Sequence, residues 1–167
     1  MTRAGPSRRS GSAESAGHAR PSDSAATVVA ALQSALAAEQ AAVYGYGVVG
    51  AHLPQGSAEQ DSAGADWVAH MRARDELSAL ITAHGATPVP AAVAYQLPAP
   101  VRTPASARAL AVTLEDRVAR AYLGLVALPD SGLRSFGAKQ VRAAALRAEA
   151  WRGSTQAFPG LMPLARK

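Results

Sequence analysis

The residues of this sequence that could do chemistry are carboxylate, imidazole and guanidinium side chains on the inward faces of predicted helices. They are Glu39, His70, Arg74, Glu115 and Glu149. Glu39 is the only charged residue between Ser24 and Leu53, and steps of three and four residues place it on one helical face with apolar side chains. An ionised carboxylate on a core-facing stripe is costly unless a positive group meets it. The sequence therefore predicts a buried site in which Glu39 has a partner.

One partner for Glu39 is a metal ion. Glu39, His70, Glu115 and Glu149 come from four different predicted helices, and they could meet in one layer of a helix bundle. Carboxylate oxygens and neutral imidazole are the ligands of non-haem di-metal sites in such bundles, where they hold iron or manganese. On this alternative the protein is a di-iron or single-metal oxidoreductase, or an iron-handling protein.

The other partner is an arginine. Arg74 lies on the same predicted face as His70, is always charged and offers a fork of donors that can neutralise Glu39 or Glu115 without a metal. His70 would then be a hydrogen-bonded core histidine. Because a guanidinium beside a cation site repels the cation, we favour this buried network of Glu39, His70, Arg74 and Glu115. We therefore expect no cofactor, with iron or manganese as the alternative.

Helices are needed to hold these residues, and the apolar periodicity predicts four of them and no strand. The expected spans are 24–52, 62–85, 104–128 and 138–151. Asp61 or Ser62 is expected to cap the second helix and Thr103 the third, while residues 132–137 are expected to form a turn before the fourth.

The segment 86–102 is different, because it contains four prolines and cannot be a regular helix. It also carries Val93, Tyr95 and Leu97, which a solvated linker does not need. We interpret it as an ordered crossover that joins two parallel helices. The predicted fold class is all-α: an antiparallel four-helix bundle with a long ordered crossover between helices two and three.

The net charge of +5 is unevenly distributed. Residues 1–22 hold four arginines and one glutamate, which gives +3 there and leaves +2 for the rest. We expect a disordered basic tail at 1–22, the bundle at 23–157 and a second tail at 158–167. The charge balance of the body makes nucleic-acid binding unlikely, and no stretch looks long and apolar enough to span a membrane. With no cysteine and no secretory signal, we expect a cytoplasmic protein.

The glycines at 45, 47 and 50 match the G-x-G-x-x-G spacing of dinucleotide-binding turns. That motif needs a strand before it and a helix after it, whereas here a helical pattern precedes it and Pro54 follows. We expect these glycines to allow close packing instead. Because the first helix carries almost no charge around its circumference, we also expect a homo-oligomer through helix one or the crossover.

The sequence resembles the ferritin-like four-helix-bundle superfamily, and within it an alanine- and arginine-rich ferritin-like domain family of unknown function. The resemblance covers about residues 25–157 and rests on the segments 39–47, 70–75, 94–98 and 114–115. It implies the fold. No activity is established for that family, so the resemblance does not indicate one for this chain.

Metal-binding members of the superfamily carry a lone Glu on helices one and three and Glu-x-x-His on helices two and four. Glu39 and Glu115 match the lone positions. The corresponding segment of helix two reads Trp67-x-x-His70, and that of helix four reads Glu149-x-x-Arg152, so one Glu and one His are missing. The resemblance therefore implies a ferritin-like domain of unknown biochemical activity, which we expect to be non-catalytic, with a polar layer replacing the di-iron site.

Overall fold

The computed structural model of this chain describes Met1 and residues 21–153, with side chains of the helical body from residue 24 onward. The tail predicted at 1–22 lies outside the described residues except at Met1, Pro21 and Ser22, and the tail predicted at 158–167 lies outside them entirely. Residues 154–157 of the predicted bundle lie outside them as well. All four predicted helical spans fall within the described range.

The described residues form four α-helices and no strand. Their bounds are α1 Pro21–Ala51, α2 Ala58–Ala83, α3 Pro104–Val126 and α4 Ser131–Arg152. This confirms the predicted all-α four-helix bundle. The apolar periodicity was sufficient because each helix is long and buries one face.

The contacts between side chains give the direction of the helices. Tyr46 of α1 contacts Glu115 of α3, whereas Tyr122 of α3 contacts Glu39 of α1, so the two helices are antiparallel. A short loop reverses the chain between α1 and α2, and α2 therefore runs parallel to α3. Two parallel helices cannot be joined by a tight turn, which explains the long crossover between them.

The crossover lies along α1 and is held there by two glutamine side chains. Gln33 Nε2 donates to the Thr87 carbonyl at 2.7 Å, and the Val89 N–H donates to Gln33 Oε1 at 3.0 Å. Gln40 Nε2 donates to the Val89 carbonyl at 2.7 Å. These bonds satisfy backbone groups of a proline-rich segment that has no regular partner, and the predicted ordered crossover is confirmed.

The apolar residues of the crossover do not all pack. Tyr95 lies against Tyr44 of α1 with ring centroids 5.5 Å apart, and Leu97 packs on the core. Val93 is fully exposed, so the expectation that it packs on the body was wrong. The glutamine bonds and Tyr95 fix the backbone on either side of Val93, and its own side chain is not needed for this.

Short polar side chains fix the helix starts. Ser57 caps α2 by accepting from the Gln60 N–H at 3.2 Å, so α2 begins about one turn before the predicted cap at Asp61 or Ser62. Thr103 caps α3 as predicted. The sequence offers three capping residues close together, at Ser57, Asp61 and Ser62, and the earliest of them caps the helix.

The start of α4 also differs from the prediction. Asp130 caps it by accepting from the Leu133 N–H at 2.7 Å, so the segment 132–137 is helical and not a turn. Gly137 is part of the helix, and its lack of a side chain allows α4 to lie directly against α3. A Cβ at this residue would be 2.9 Å from Leu125 Cβ and 3.1 Å from the Tyr122 carbonyl oxygen.

The Gly137→Ala substitution is expected to lower the free energy of unfolding by about 1–3 kcal/mol, because the methyl group would overlap atoms of α3. The matched control is Gly47→Ala in α1, where nothing lies within 4 Å of an added Cβ. This control should be neutral or stabilise by up to about 1 kcal/mol through helix propensity. Urea unfolding measures both, and a stabilised Gly137→Ala would contradict the close contact.

Of the glycines in the G-x-G-x-x-G spacing, only Gly45 is at a close contact. A Cβ there would be 2.6 Å from Leu114 Cδ1, so the Leu114 side chain of α3 packs directly on α1 at this residue. Gly47 and Gly50 have nothing within 4 Å of an added Cβ. The close-packing interpretation therefore holds for Gly45 and was wrong for the other two.

Helix α1 is, over Ser24–Ala51, long and apolar enough to cross a membrane by length and composition. The prediction that no such stretch exists was wrong, because the many alanines and valines of this helix together raise its mean hydropathy. The same helix buries Leu32, Leu36 and Glu39 against the other helices, as the core helix of a bundle does.

The apolar core is divided into two clusters by a polar layer. One cluster includes Leu32, Leu36, Leu77, Ile81 and Leu125. The other includes Tyr46, Val49, Leu53, Leu110 and Leu114. The buried charged residues come from the helix segments between these two sets, so the candidate site lies in the middle of the bundle.

Candidate functional site

Three ionisable residues from three helices meet in the polar layer. Glu39 of α1, His70 of α2 and Glu115 of α3 each expose at most 1% of their surface. His70 Nδ1 lies 2.6 Å from Glu39 Oε2, and its Nε2 lies 3.0 Å from Glu115 Oε1. The structure therefore brings together three of the residues that the sequence placed at the site.

The two contacts of His70 determine its protonation. A carboxylate oxygen only accepts hydrogen bonds, so both ring nitrogens donate and the ring is an imidazolium. Burial lowers the pKa of His70, but the hydrogen bonds to Glu115 and Glu39 outweigh it and raise the pKa from 6.5 to about 9. His70 is thus a buried cation that bridges two carboxylates.

The arginine of this network is Arg147 of α4. Its Nε donates to Glu115 Oε1 at 2.9 Å, and 18% of its side chain is exposed. Arg74, the arginine predicted for the network, is 35% exposed and pairs instead with Asp75 on the surface. The prediction for Arg74 was wrong because a shared helical face does not fix where a long side chain extends.

A sequence signal for Arg147 was available. It lies three residues after Ala144 and next to Ala148, both of which are buried, and this puts it on the inward stripe of α4. The fivefold spacing of Arg142, Arg147 and Arg152 along the fourth helix is typical of a solvated surface, and that interpretation was wrong for Arg147. Small alanines in the stripe leave room beside α3, so the guanidinium reaches Glu115 from the edge of the core.

Two tyrosines complete the network. Tyr46 donates to Glu115 Oε1 at 2.6 Å and stacks on His70 with ring centroids 5.0 Å apart, and Tyr122 donates to Glu39 Oε1 at 2.8 Å. Burial raises the pKa of both phenols and the neighbouring carboxylates raise it further, so both stay protonated. Both lie on predicted core stripes, where a tyrosine needs a hydrogen-bond partner, and this was the signal that would have found them.

The bonds to Glu115 are unevenly divided between its two oxygens. Oε1 accepts from Tyr46, His70 and Arg147, whereas Oε2 is buried and has no hydrogen bond to the described residues. Burial raises the pKa of Glu115, yet the hydrogen bond and charge of His70 and the charge of Arg147 hold it below 4.5. Glu115 is therefore ionised and tightly held on one side only.

Glu149, the fourth predicted metal ligand, is not brought into this set. Within the described part of the chain, the side-chain partners of the three central residues are Tyr46, Tyr122 and Arg147. Glu149 is half-buried on α4, and its backbone carbonyl accepts from the Gly153 N–H at the helix end.

The side chains as arranged do not fit a di-metal centre. Both ring nitrogens of His70 face carboxylate oxygens at hydrogen-bond distance, so neither is directed at a position that a metal ion could occupy. The charges of Glu39 and Glu115 are balanced by His70 and Arg147. No group of three His, Asp or Glu residues among those the structure describes is arranged to hold a metal ion. What the arrangement does as it stands is neutralise buried charge and link α1, α2, α3 and α4.

The fold and this site define an all-α four-helix bundle with parallel second and third helices and a buried charged network at its centre. The chain belongs to the family described as "Domain of unknown function (DUF4439)", which matches residues 31–163. It is similar to the crystal structure of rv2844, a conserved hypothetical protein from Mycobacterium tuberculosis. That similarity has a TM-score of 0.73 and 33% sequence identity over 77% of this chain and 96% of the other. No curated protein matches the chain.

Proposed function

We propose that this protein is a non-catalytic ferritin-like domain in which a charge-balanced network takes the place of a di-iron site. The observation that carries the proposal is His70, which is held between Glu39 and Glu115 with both ring nitrogens engaged. In a di-iron bundle these carboxylates and this imidazole would be directed at metal ions. Here they are directed at each other, and the bundle keeps its buried polar layer without a cation from solution.

The ferritin-like assignment is supported by topology and by the origin of the carboxylates. The bundle has parallel second and third helices joined by an ordered crossover. Its two buried glutamates come one each from the first and third helices, as the lone Glu ligands of that superfamily do. On the second helix, Trp67 stands at the Glu position and is 39% exposed, so it offers nothing in place of the missing ligand.

The metal content of the purified protein tests this proposal. The protein, made without a metal-binding tag, is expected to contain iron, manganese and zinc at far less than one ion per chain. Glu39→Ala should leave these values unchanged, as should the control Glu76→Gln on the exposed face of α2. One metal ion per chain that is lost in Glu39→Ala and kept in Glu76→Gln would contradict the proposal.

A second candidate is the metal-dependent one, an oxidoreductase or iron-handling protein with one or two metal ions. It is favoured by Glu115 Oε2, a buried carboxylate oxygen that no described donor satisfies. It requires His70 to release a proton and turn away from one carboxylate. Anaerobic loading with ferrous iron followed by oxygen distinguishes the two, because this candidate alone predicts a colour change and oxygen uptake.

We also propose that two copies of the chain associate through α1 or the crossover. It is supported by the exposed valines of the crossover, Val89 and Val93, and by the long apolar surface of α1. Sedimentation that shows only monomer at tens of micromolar, roughly above typical specific affinities, would exclude it.

A further inference from the structure

A cleft of about 470 Å³ opens between α2 and α4, which are not among the helix pairs that pack closely. Its lining residues are Ala58, Glu59, Ser62, Ala65, Asp66, Arg108, Leu146, Arg147, Ala150 and Trp151. This volume is within the range of small-molecule sites, roughly 300–1,000 Å³. The cleft lies outside the buried network and adjoins it through Arg147 and through Trp151, whose ring centroid is 6.4 Å from that of Tyr46.

The charges that line the cleft are paired, with one exception. Arg108 makes a bidentate ion pair with Glu59, in which Nε donates to Oε1 at 2.8 Å and Nη2 donates to Oε2 at 2.9 Å. Arg147 is engaged by Glu115. Asp66 has no basic side chain of the described chain within ion-pair distance. The lining itself holds two acids and two arginines, but Arg147 is paired with the buried Glu115 behind it. Asp66 is therefore the one charge of the lining with no opposite charge paired to it.

The carboxylate of Asp66 is held in a fixed orientation by Trp151. Its Oδ2 accepts from Trp151 Nε1 at 2.9 Å, a neutral donor that orients the carboxylate without cancelling its charge. Burial raises the pKa of Asp66 against the effect of this hydrogen bond, which means that water stabilises the carboxylate poorly. A cation brought by a ligand would supply the missing compensation.

The walls around Asp66 are apolar. Leu146 exposes 55% of its surface there, and Ala65 and Ala150 present only methyl groups. The half-buried indole ring of Trp151 lies at the same place. An apolar body can be buried on these side chains while a charged head reaches the carboxylate.

We propose that this cleft binds a small organic amine, whose ammonium group pairs with Asp66 and whose apolar body lies against Leu146 and Trp151. Aromatic rings favour organic cations as neighbours, and the two cations whose charges act on Asp66, Arg147 and His70, are offset by Glu115 and Glu39. An organic acid would meet the uncompensated charge of Asp66, and the two guanidinium groups of the lining, Arg108 and Arg147, are already engaged by Glu59 and Glu115. This site goes beyond the proposed function and does not rest on it.

Calorimetric titration of the full chain with three probes that share a phenylethyl body tests the charge preference. The probes are 2-phenylethylamine, 2-phenylethanol and 3-phenylpropionate, which present a cation, a neutral group and an anion on the same ring. The amine is expected to bind more tightly than the alcohol by about tenfold, the value of one charge-assisted contact, and the acid least tightly. An acid that binds as well as the amine, or an amine that does not bind at millimolar concentration, would overturn the proposal.

Three variants locate the site. Asp66→Asn keeps the shape and an oxygen for Trp151, and it is expected to weaken amine binding about tenfold. Ala150→Leu fills the cleft from an exposed residue and should abolish binding without disturbing the core. Asp61→Asn, an exposed acid on the same helix outside the lining, should leave binding unchanged. Equal binding to the Asp66 and Asp61 variants would place the amine elsewhere and contradict the assignment.

Discussion

The substitution His70→Phe is expected to lower the free energy of unfolding by about 3–5 kcal/mol. Phenylalanine keeps a ring beside Tyr46 but removes the one cation among the described residues that contacts both Glu39 and Glu115. Two buried carboxylates would then share the single charge of Arg147, which reaches only Glu115. Breaking a buried ion pair from one side is costly because the remaining charge is left without compensation.

Urea unfolding of the wild type and the variant measures this loss. The control is His84→Phe, which changes an exposed histidine at the end of α2 and should alter stability by less than about 1 kcal/mol. A His70→Phe variant as stable as the control would show that the carboxylates are compensated by something other than His70.

The stability of the protein is expected to fall as the pH rises from about 6.5 through 9. Because the pKa of His70 is raised from 6.5 to about 9 on folding, the folded state binds this proton more tightly than the unfolded state does. The resulting stabilisation is fully present below pH 6.5 and is lost as the pH passes the folded pKa. By linkage its size is on the order of 3 kcal/mol.

The acid side of the profile has the opposite sign. The pKa of Glu115 is held below 4.5 by His70 and Arg147 against the effect of burial, so its contribution is present above that value and is lost on acidification. We therefore expect a maximum of stability between about pH 5 and 6.5. The pKa values of Tyr46 and Tyr122 are raised by burial, so their phenols should not titrate within the alkaline arm.

Unfolding midpoints measured from weakly acidic to alkaline pH in wild type and His70→Phe check this prediction. Only the wild type should lose stability between pH 6.5 and 9, because the variant lacks the titrating group. Parallel profiles in the two proteins would contradict a raised pKa at His70. Salt should alter the difference little, since the pair is shielded from solvent.

The fold could be predicted from the sequence because each helix has its own local signals. Long apolar stripes gave the number of helices, and Thr103 with the proline after it gave the start of α3. The prolines of the crossover indicated that α2 and α3 run in the same direction. The starts of α2 and α4 were missed because Ser57 and Asp130 compete with other capping residues nearby.

The site was predicted only in part, for a reason of geometry. The three buried ionisable residues have shorter side chains than arginine and lie on inward stripes of their helices. Their helical register was therefore enough to predict that Glu39, His70 and Glu115 meet. Arg74 and Arg147 have long side chains whose direction depends on the space between packed helices. That space is created by the small residues of α4 against α3, and single-helix periodicity does not contain it.

The arginine of the polar layer comes from α4 and not, as predicted, from α2. Arg74 would have come from the same helix as His70, whereas Arg147 adds the fourth helix to the network. All four helices thus contribute to a set of charges that sums to zero, from Glu39, Glu115, His70 and Arg147. This arrangement can fix the helical register across the whole bundle, which is the best attested use of buried charge.

The protonation of His70 is the most direct test of the buried charged network, and nitrogen NMR of the ring measures it, with His70→Phe as the assignment control. Both ring nitrogens are expected to carry protons at neutral pH, and the ring is expected to titrate near pH 9. A ring with one unprotonated nitrogen at neutral pH, whether free or bound to a metal, would contradict a His70 cation held between two carboxylates.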